Sequence, residues 1–163
     1  YIYIMRGTPL LLQLMFIFFG YHYIPGIGYA LGRYQAIFIA FTLNYTAYFA
    51  EIFRGGIASI DVGQYEAAKV LGFSRTYTFM EIILPQVIKN ILPSIGNEVI
   101  TLVKDTSLVY ILGVSDILKA ARAASNTYST FTPFIFVGIV YLIIIAILTK
   151  LLDGIELRFE YYR

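Results

Sequence analysis

Cysteine is absent from this 163-residue chain, tryptophan is absent too, and histidine occurs once. Without cysteine there is no disulfide framework and no thiolate metal site. With His22 as the sole imidazole, a zinc centre or a serine–histidine pair lacks its usual partner. Such a lone histidine reads as an interfacial or internally satisfied side chain. Charge is scarce as well: 13% of the residues are Asp, Glu, Lys or Arg, against about a quarter in an ordinary soluble domain. The formal net charge of +2 gives no footprint for nucleic acid. No Gly-Lys dipeptide occurs, so the chain has no P-loop and cannot hydrolyse ATP by that route. GIGYALG (26–32) has one residue too many for a dinucleotide fingerprint and follows an apolar run rather than a strand.

What is present is apolar: 59% of the residues are hydrophobic, including 15 Tyr and 13 Phe. A membrane-crossing helix needs about 20 mostly apolar residues. Four stretches qualify as expected spans of an all-α polytopic membrane protein: 1 to about 23, 34–53, 92–112 and 133–152. Pro133 suits the first turn of the last one, and Pro9 predicts a kink in the first. The third is the weakest, because Glu98, Lys104 and Asp105 are costly in lipid unless they face protein or water. The chain opens inside an apolar run without methionine, which reads as N-terminal truncation of a single domain covering 1–163. Tyr21, Tyr23, Tyr29, Tyr161 and Tyr162 are candidates for interfacial belts, as well as for lipid-facing bulk. Lys69, Arg75 and Lys89 in the long connection, with Arg54 at its edge, and Lys150, Arg158 and Arg163 near the end, place that connection and the C-terminus in the cytoplasm.

The long connection, about 55–91, has internal structure. Asp61 and Gln64 have capping-box spacing, so a helix is expected from Val62. Gly72 fits a left-handed stop, Ser74 can cap a second helix, and that helix is expected to end or kink around Pro85. A helix, a glycine turn and a helix of this kind suits a groove on another protein or the lipid surface; the residues alone fit both.

Glu66-Ala67-Ala68, three residues, Gly72, nine residues, Ile82, one residue and Leu84-Pro85 have the composition and spacing of the cytoplasmic signature of ABC-importer permeases. The chain therefore resembles that family. RGTPLLLQLMFIFFG (6–20), AYFAEIFRGGIASIDVGQYEAA (47–68) and IGNEVITLVKDTSLVYILGV (95–114) are similar to its polar-amino-acid subfamily. The resemblance implies the ABC importer type I permease fold with five spans, four of them visible here, in a bacterial inner or plasma membrane. It implies that Glu66, Ala67, Ala68, Gly72, Ile82, Leu84 and Pro85 belong to a coupling helix that docks on an ATPase subunit. It also implies a second permease subunit, identical or related, an extracytoplasmic solute-binding protein, and ATP-Mg held by the ATPases. The chain itself would be no enzyme and would bind no cofactor.

Helical periodicity then singles out two polar stripes. Asn44, Tyr48 and Glu51 share one face, and Ser94, Glu98, Thr101 and Asp105 share another. On antiparallel spans the two can converge, with Glu51 near Ser94 and Glu98, and Asn44 nearer Asp105. Lys104 projects away from the Asp105 stripe, so the cavity is expected to keep negative character and to favour a substrate with a cationic group; among the polar amino acids that the resemblance implies, basic ones (arginine, lysine, histidine) are preferred, with glutamine or glutamate as the alternative. The competing readings are structural: Asn44 and Thr101 as bonds between helices, Glu98 and Asp105 as locks, and Glu51 as a surface carboxylate beside Arg54. Arg6 reads as fixing the first span against a neighbour rather than as a ligand residue. Rival functions are a secondary transporter or channel and a membrane scaffold.

Overall fold

The structure, a computed structural model, describes residues 1–20 and 31–160. His22, the candidate belt tyrosines named above and residues 26–30 of the GIGYALG run lie outside the described residues. Among those residues every regular element is helical: α1 (Ile2–Gly7), α2 (Leu10–Phe19), α3 (Arg33–Ala58), α4 (Val62–Val70), α5 (Arg75–Tyr77), α6 (Leu84–Asp105), α7 (Ile117–Tyr128) and α8 (Thr132–Glu160). A π-helical segment, Thr78–Ile83, joins α5 to α6, and a 3-10 segment, Thr106–Leu112, extends α6. Among the described residues two helices are long and apolar enough to cross a membrane, Arg33–Ala58 and Thr132–Arg158.

Small residues set how closely the helices meet, as they do where lipid gives no hydrophobic drive between helices. Ala36, Ala40 and Ala47 on α3 are fully buried. Ala36 and Ala40 share a core with Leu10 and Leu14 of α2, Tyr45 and Leu112. Further along α3, Gly56 lies so close to α6 that a Cβ there would stand 2.2 Å from Ile91 Cγ2. Val87 and Ile91 join Ile60 and Ile83 in a second core. Gly96, on the same helix, faces Leu152 and Glu156 of α8.

The segment between the long helices forms as its local chemistry dictates. Asp61 caps α4, its carboxylate accepting from the Gly63 amide at 2.6 Å. The reciprocal half of the expected capping box is not made: Gln64 Oε1 instead meets Gln86 Nε2 at 3.4 Å. Gly72 has φ +73°. The amides of Gly72 and Phe73 donate to the carbonyls of Lys69 and Ala68, a Schellman stop. Ser74 Oγ accepts from the Tyr77 amide at 3.2 Å.

Within the connection read over about 55–91, α3 runs on to Ala58 and α6 begins at Leu84. Around Pro85, where an end or a kink is expected, the regular α register is interrupted while the helical path continues. Backbone angles stay right-handed helical through Tyr77, Thr78, Ile83 and Leu84. Proline brings no N–H and crowds the preceding turn. The chain widens into a π turn just ahead of it, with the Leu84 amide reaching back to the Phe79 carbonyl. Gln86 Nε2 donates to the Ile82 carbonyl at 2.7 Å, satisfying an acceptor in the disturbed register. The expected kink in the opening span is present as a break: α1 stops at Gly7, Thr8 is extended, and α2 starts after Pro9. Between the third and fourth apolar stretches lies α7, capped by Asp116 through the Lys119 amide at 2.8 Å.

Replacing Gly56 by alanine should lower the thermal stability of the purified protein by about 1–3 kcal/mol, the usual cost of overpacking. Adding Ile91→Ala should recover part of it. Equal melting temperatures for wild type and Gly56→Ala in the same detergent would show that the α3–α6 contact is looser than described.

Candidate functional site

The broken opening helix, α3 and the C-terminal half of α6 enclose a cavity of about 570 Å³. Residues 6–11, spanning the break, form one wall. Asn44, Tyr45 and Tyr48 come from α3, and Glu98, Thr101 and Asp105 from α6.

The break exists because Pro9 has no amide to donate to the Met5 carbonyl one turn back. That carbonyl instead receives two side-chain donors, Gln13 Nε2 at 2.9 Å and Asn44 Nδ2 at 3.2 Å. Gln13 Nε2 also reaches the Thr8 carbonyl and hydroxyl, at 3.1 and 2.7 Å, and Gln13 Oε1 accepts from Asn44 at 3.0 Å. Asn44, only 4% exposed, is thus the cross-helix bond its structural reading described, while it also borders the cavity.

The acidic residues differ in what they already hold. Asp105 accepts from the Tyr45 hydroxyl at 2.8 Å, which ties α3 to α6 beside the cavity. Glu98 accepts no hydrogen bond among the described residues, and it is only partly buried. Thr101 Oγ1 donates to the Asn97 carbonyl within its own helix. Glu51 is gripped by Arg54 through Nε at 2.8 Å and Nη2 at 2.5 Å, and stands 3.5 Å from Arg6. The Arg6 guanidinium lies 5.5 Å from the centre of the Tyr48 ring, a cation–π distance. Lys104 is exposed, and the ion pairs among the described residues do not include it.

Five of the seven stripe residues therefore come together: Asn44, Tyr48, Glu98, Thr101 and Asp105. Glu51 and Ser94 are not in the lining: Glu51 faces Arg54, and Ser94 is exposed about one turn from Glu98. Across the α3–α6 contact Tyr45 is level with Asp105, and Gly56 with Val87 and Ile91. Periodicity did not indicate Tyr45, Gln13 or the place of Arg6 in the wall. Pro9 carried the signal for Gln13, since it leaves a carbonyl needing a donor and Gln13 follows four residues later.

The signature residues lie apart from the cavity. Glu66 and Ala67 are exposed on α4, Ala68 is buried beneath it, and Gly72 ends it. Ile82 packs against the core of Ile60, Ile83, Val87 and Ile91. Leu84 is half-buried and Pro85 exposed, at the join to α6.

Comparison with known proteins agrees with this architecture. The family described as binding-protein-dependent transport system inner membrane component matches residues 1–161. The arginine transport system permease protein ArtQ of Bacillus subtilis is 39% identical over 158 residues, covering 96% of this chain and 71% of that protein. A putative glutamine transport system permease protein GlnP of Rickettsia conorii is 40% identical over 154 residues, 94% of this chain and 70% of the relative. The octopine transport system permease protein OccM of Rhizobium radiobacter is 39% identical, over 96% of this chain and 66% of its own length. A crystal structure of an amino acid ABC transporter with histidines superposes with a TM-score of 0.88 at 38% identity, covering 97% of this chain and 73% of that one. On this footing the chain belongs to the family of inner membrane components of binding-protein-dependent transport systems.

Proposed function

We propose that the chain is the permease subunit of an ATP-binding-cassette importer for polar amino acids, with basic ones preferred. One observation carries the substrate reading: Glu98, with its acceptors unfilled, and Asp105 face a single cavity of about 570 Å³, within the usual size range of small-ligand sites. A carboxylate in a partly desolvated wall is stabilised by an opposite charge, and a cationic group on the ligand supplies one. Asn44, Tyr48 and Thr101 line the same space. Glu51 and Ser94, the remaining stripe residues, belong to the approach rather than the wall. Relatives named for arginine, glutamine and octopine support an amino-acid cargo in general. The preference for a cationic side chain rests on charge complementarity.

In this reading α1–α2, α3, α6 and α8 are four spans of a five-span subunit, and the segment from Ser59 to Ile83 faces the cytoplasm. A second permease subunit, identical or related, completes the pathway, an external binding protein delivers the amino acid, and ATPase subunits drive it. Val62 and Val70 at the two ends of α4, and Leu71 just after it, are 67%, 87% and 68% exposed, apolar side chains that a protein groove could cover. ATP-driven closure of the ATPases moves α4, and the Gly72 turn passes that movement to α6. Transport then proceeds by alternating access, in which the ligand shifts the equilibrium only through its different affinity for the two states.

Three measurements test this. In liposomes holding the full-length permease, its ATPase and its binding protein, labelled arginine should accumulate only with ATP. ATP-dependent uptake of glutamine but not arginine would keep the importer and sink the charge argument, and uptake indifferent to ATP would overturn the importer itself. Glu98→Gln should raise the half-saturating arginine concentration about tenfold, the scale of a lost charge-assisted hydrogen bond; an unchanged value removes Glu98 from the pocket. At Gly72, where φ is +73°, valine costs about 1–3 kcal/mol of backbone strain. Gly72→Val should therefore leave ATP hydrolysis running while uptake falls, and intact coupled uptake would disprove the role of the turn.

A further inference from the structure

One face of α6 is polar and uncovered. Asn90, Pro93, Ser94, Asn97 and Lys104 are exposed, Thr101 is half-buried, and the helical period lines all six along one stripe. The stripe runs between the side of α6 that meets α3 through Val87 and Ile91 and the side that meets α8 at Gly96. Apart from the Pro93 ring it carries polar side chains alone. Helix α8 is the opposite case, because from Ile135 to Ile147 every exposed side chain is apolar. Lipid suits the second face and leaves the polar groups of the first without partners.

Little in the stripe is already bound. Asn90 Nδ2 donates to Ser59 Oγ at 3.2 Å, and Thr101 Oγ1 donates to the Asn97 carbonyl at 3.0 Å. The side chains of Ser94, Asn97 and Lys104 make no hydrogen bond or ion pair among the described residues. Pro93 adds a bare acceptor, since it has no amide for the Lys89 carbonyl one turn back. At Pro9 two side-chain amides fill the same gap, whereas no described side chain donates to the Lys89 carbonyl. Backbone left open at membrane depth faces protein or a water-filled space.

We infer that a second copy of this chain packs on this stripe, the two α6 helices lying side by side and parallel about a two-fold axis along the membrane normal. The inference rests on the importer reading above, which calls for a second subunit, and gives that subunit a face and an identity. Such an axis sets each residue level with its own counterpart. Ser94 and Asn97 suit this, because a hydroxyl and a carboxamide both donate and accept, so each can bond its copy. Polar side chains of this kind hold helices together in lipid. Lys104 does not suit it: like charges repel, and it stands about 15 Å beyond Ser94 along the helix. The helices therefore meet at Ser94 and Asn97 and diverge towards Lys104. Thr101 belongs both to the stripe and to the cavity wall, so the cavities of the two copies border that widening.

No cysteine occurs in the 163 residues, so single cysteines report on their own positions once any elsewhere in the full-length chain is changed to serine. Ser94→Cys and Asn97→Cys permeases, each in its complex with the ATPase subunits in proteoliposomes, are oxidised with copper phenanthroline, and the linked peptides are identified by mass spectrometry. A disulfide needs Cα atoms within about 7 Å. Both variants should pass mostly into a dimer joined through the same residue of each copy. Lys104→Cys and the apolar-face control Ile143→Cys should stay largely monomeric. A short bismaleimide repeats the comparison without the strict disulfide geometry. Absence of a dimer at both Ser94→Cys and Asn97→Cys with either reagent overturns the seam, and so does equal linking at Ile143→Cys. Links to a different permease chain overturn the self-pairing, and a Lys104→Cys link as strong as that of Asn97→Cys overturns the divergence. Arginine uptake by the same vesicles keeps the two readings apart. ATP-dependent uptake without the links removes the seam alone, whereas uptake indifferent to ATP in the cysteine-free parent removes the importer.

Discussion

One carbonyl organises the site. Pro9 cannot donate to the Met5 carbonyl, and in a membrane protein no bulk water is at hand to do so. Gln13 and Asn44 both donate there, from α2 and α3, and are bonded to each other. This cluster fixes the angle between the two halves of the opening helix and seats both against α3. The break in turn brings residues 6–11 to the wall of the cavity. With α1 and α2 continuous, the backbone there would be sheathed in its own hydrogen bonds and Arg6 would point along a different line. The fold tolerates the break because two amide side chains replace the missing donor.

Charge is distributed by the same logic. Each acidic group near the cavity has a different degree of prior engagement. Glu51 is clasped by Arg54, Asp105 shares one hydrogen bond with Tyr45, and Glu98 holds none among the described residues. The clasp does not exhaust Glu51, because its Oε1 also stands 3.5 Å from Arg6, so one carboxylate joins the opening helix to α3 while it holds Arg54.

Features fixed by a few adjacent residues were legible in the sequence. The Asp61 cap, the Gly72 stop and the Ser74 cap each depend on side chains within three or four positions, and each is formed as read. The helical period also brought Glu98, Thr101 and Asp105 onto one face of α6, and Asn44 and Tyr48 onto one face of α3. Features that depend on partners far along the chain were not legible. Tyr45 meets Asp105 across 60 positions, and Asn44 meets Met5 across 39; no local rule indicates either. Glu51 shares the stripe's angle but is held by Arg54, the local alternative that its spacing of three residues had also offered. At Pro85 the sequence indicated that the α register would be disturbed but not its form: proline forbids a regular α turn, not a helical path, and the chain takes a wider turn. Helix α7 was missed because its short alanine-rich run lacks the apolar content by which the spans were recognised.

The two left-handed glycines give the molecule a mechanical character. From Arg75 to Leu112 the backbone winds without a break through α5, the π turn, α6 and the 3-10 segment, and φ +73° glycines, Gly72 and Gly113, bound it at the ends. The 22 residues of α6 alone span about 33 Å. Between those joints the Tyr45–Asp105 bond and the close Gly56–Ile91 contact clamp α6 against α3 at two levels. Any tilt started at Gly72 would therefore carry α3 along with Glu98 and Asp105, and the stiff unit is the pair of helices rather than α6 alone.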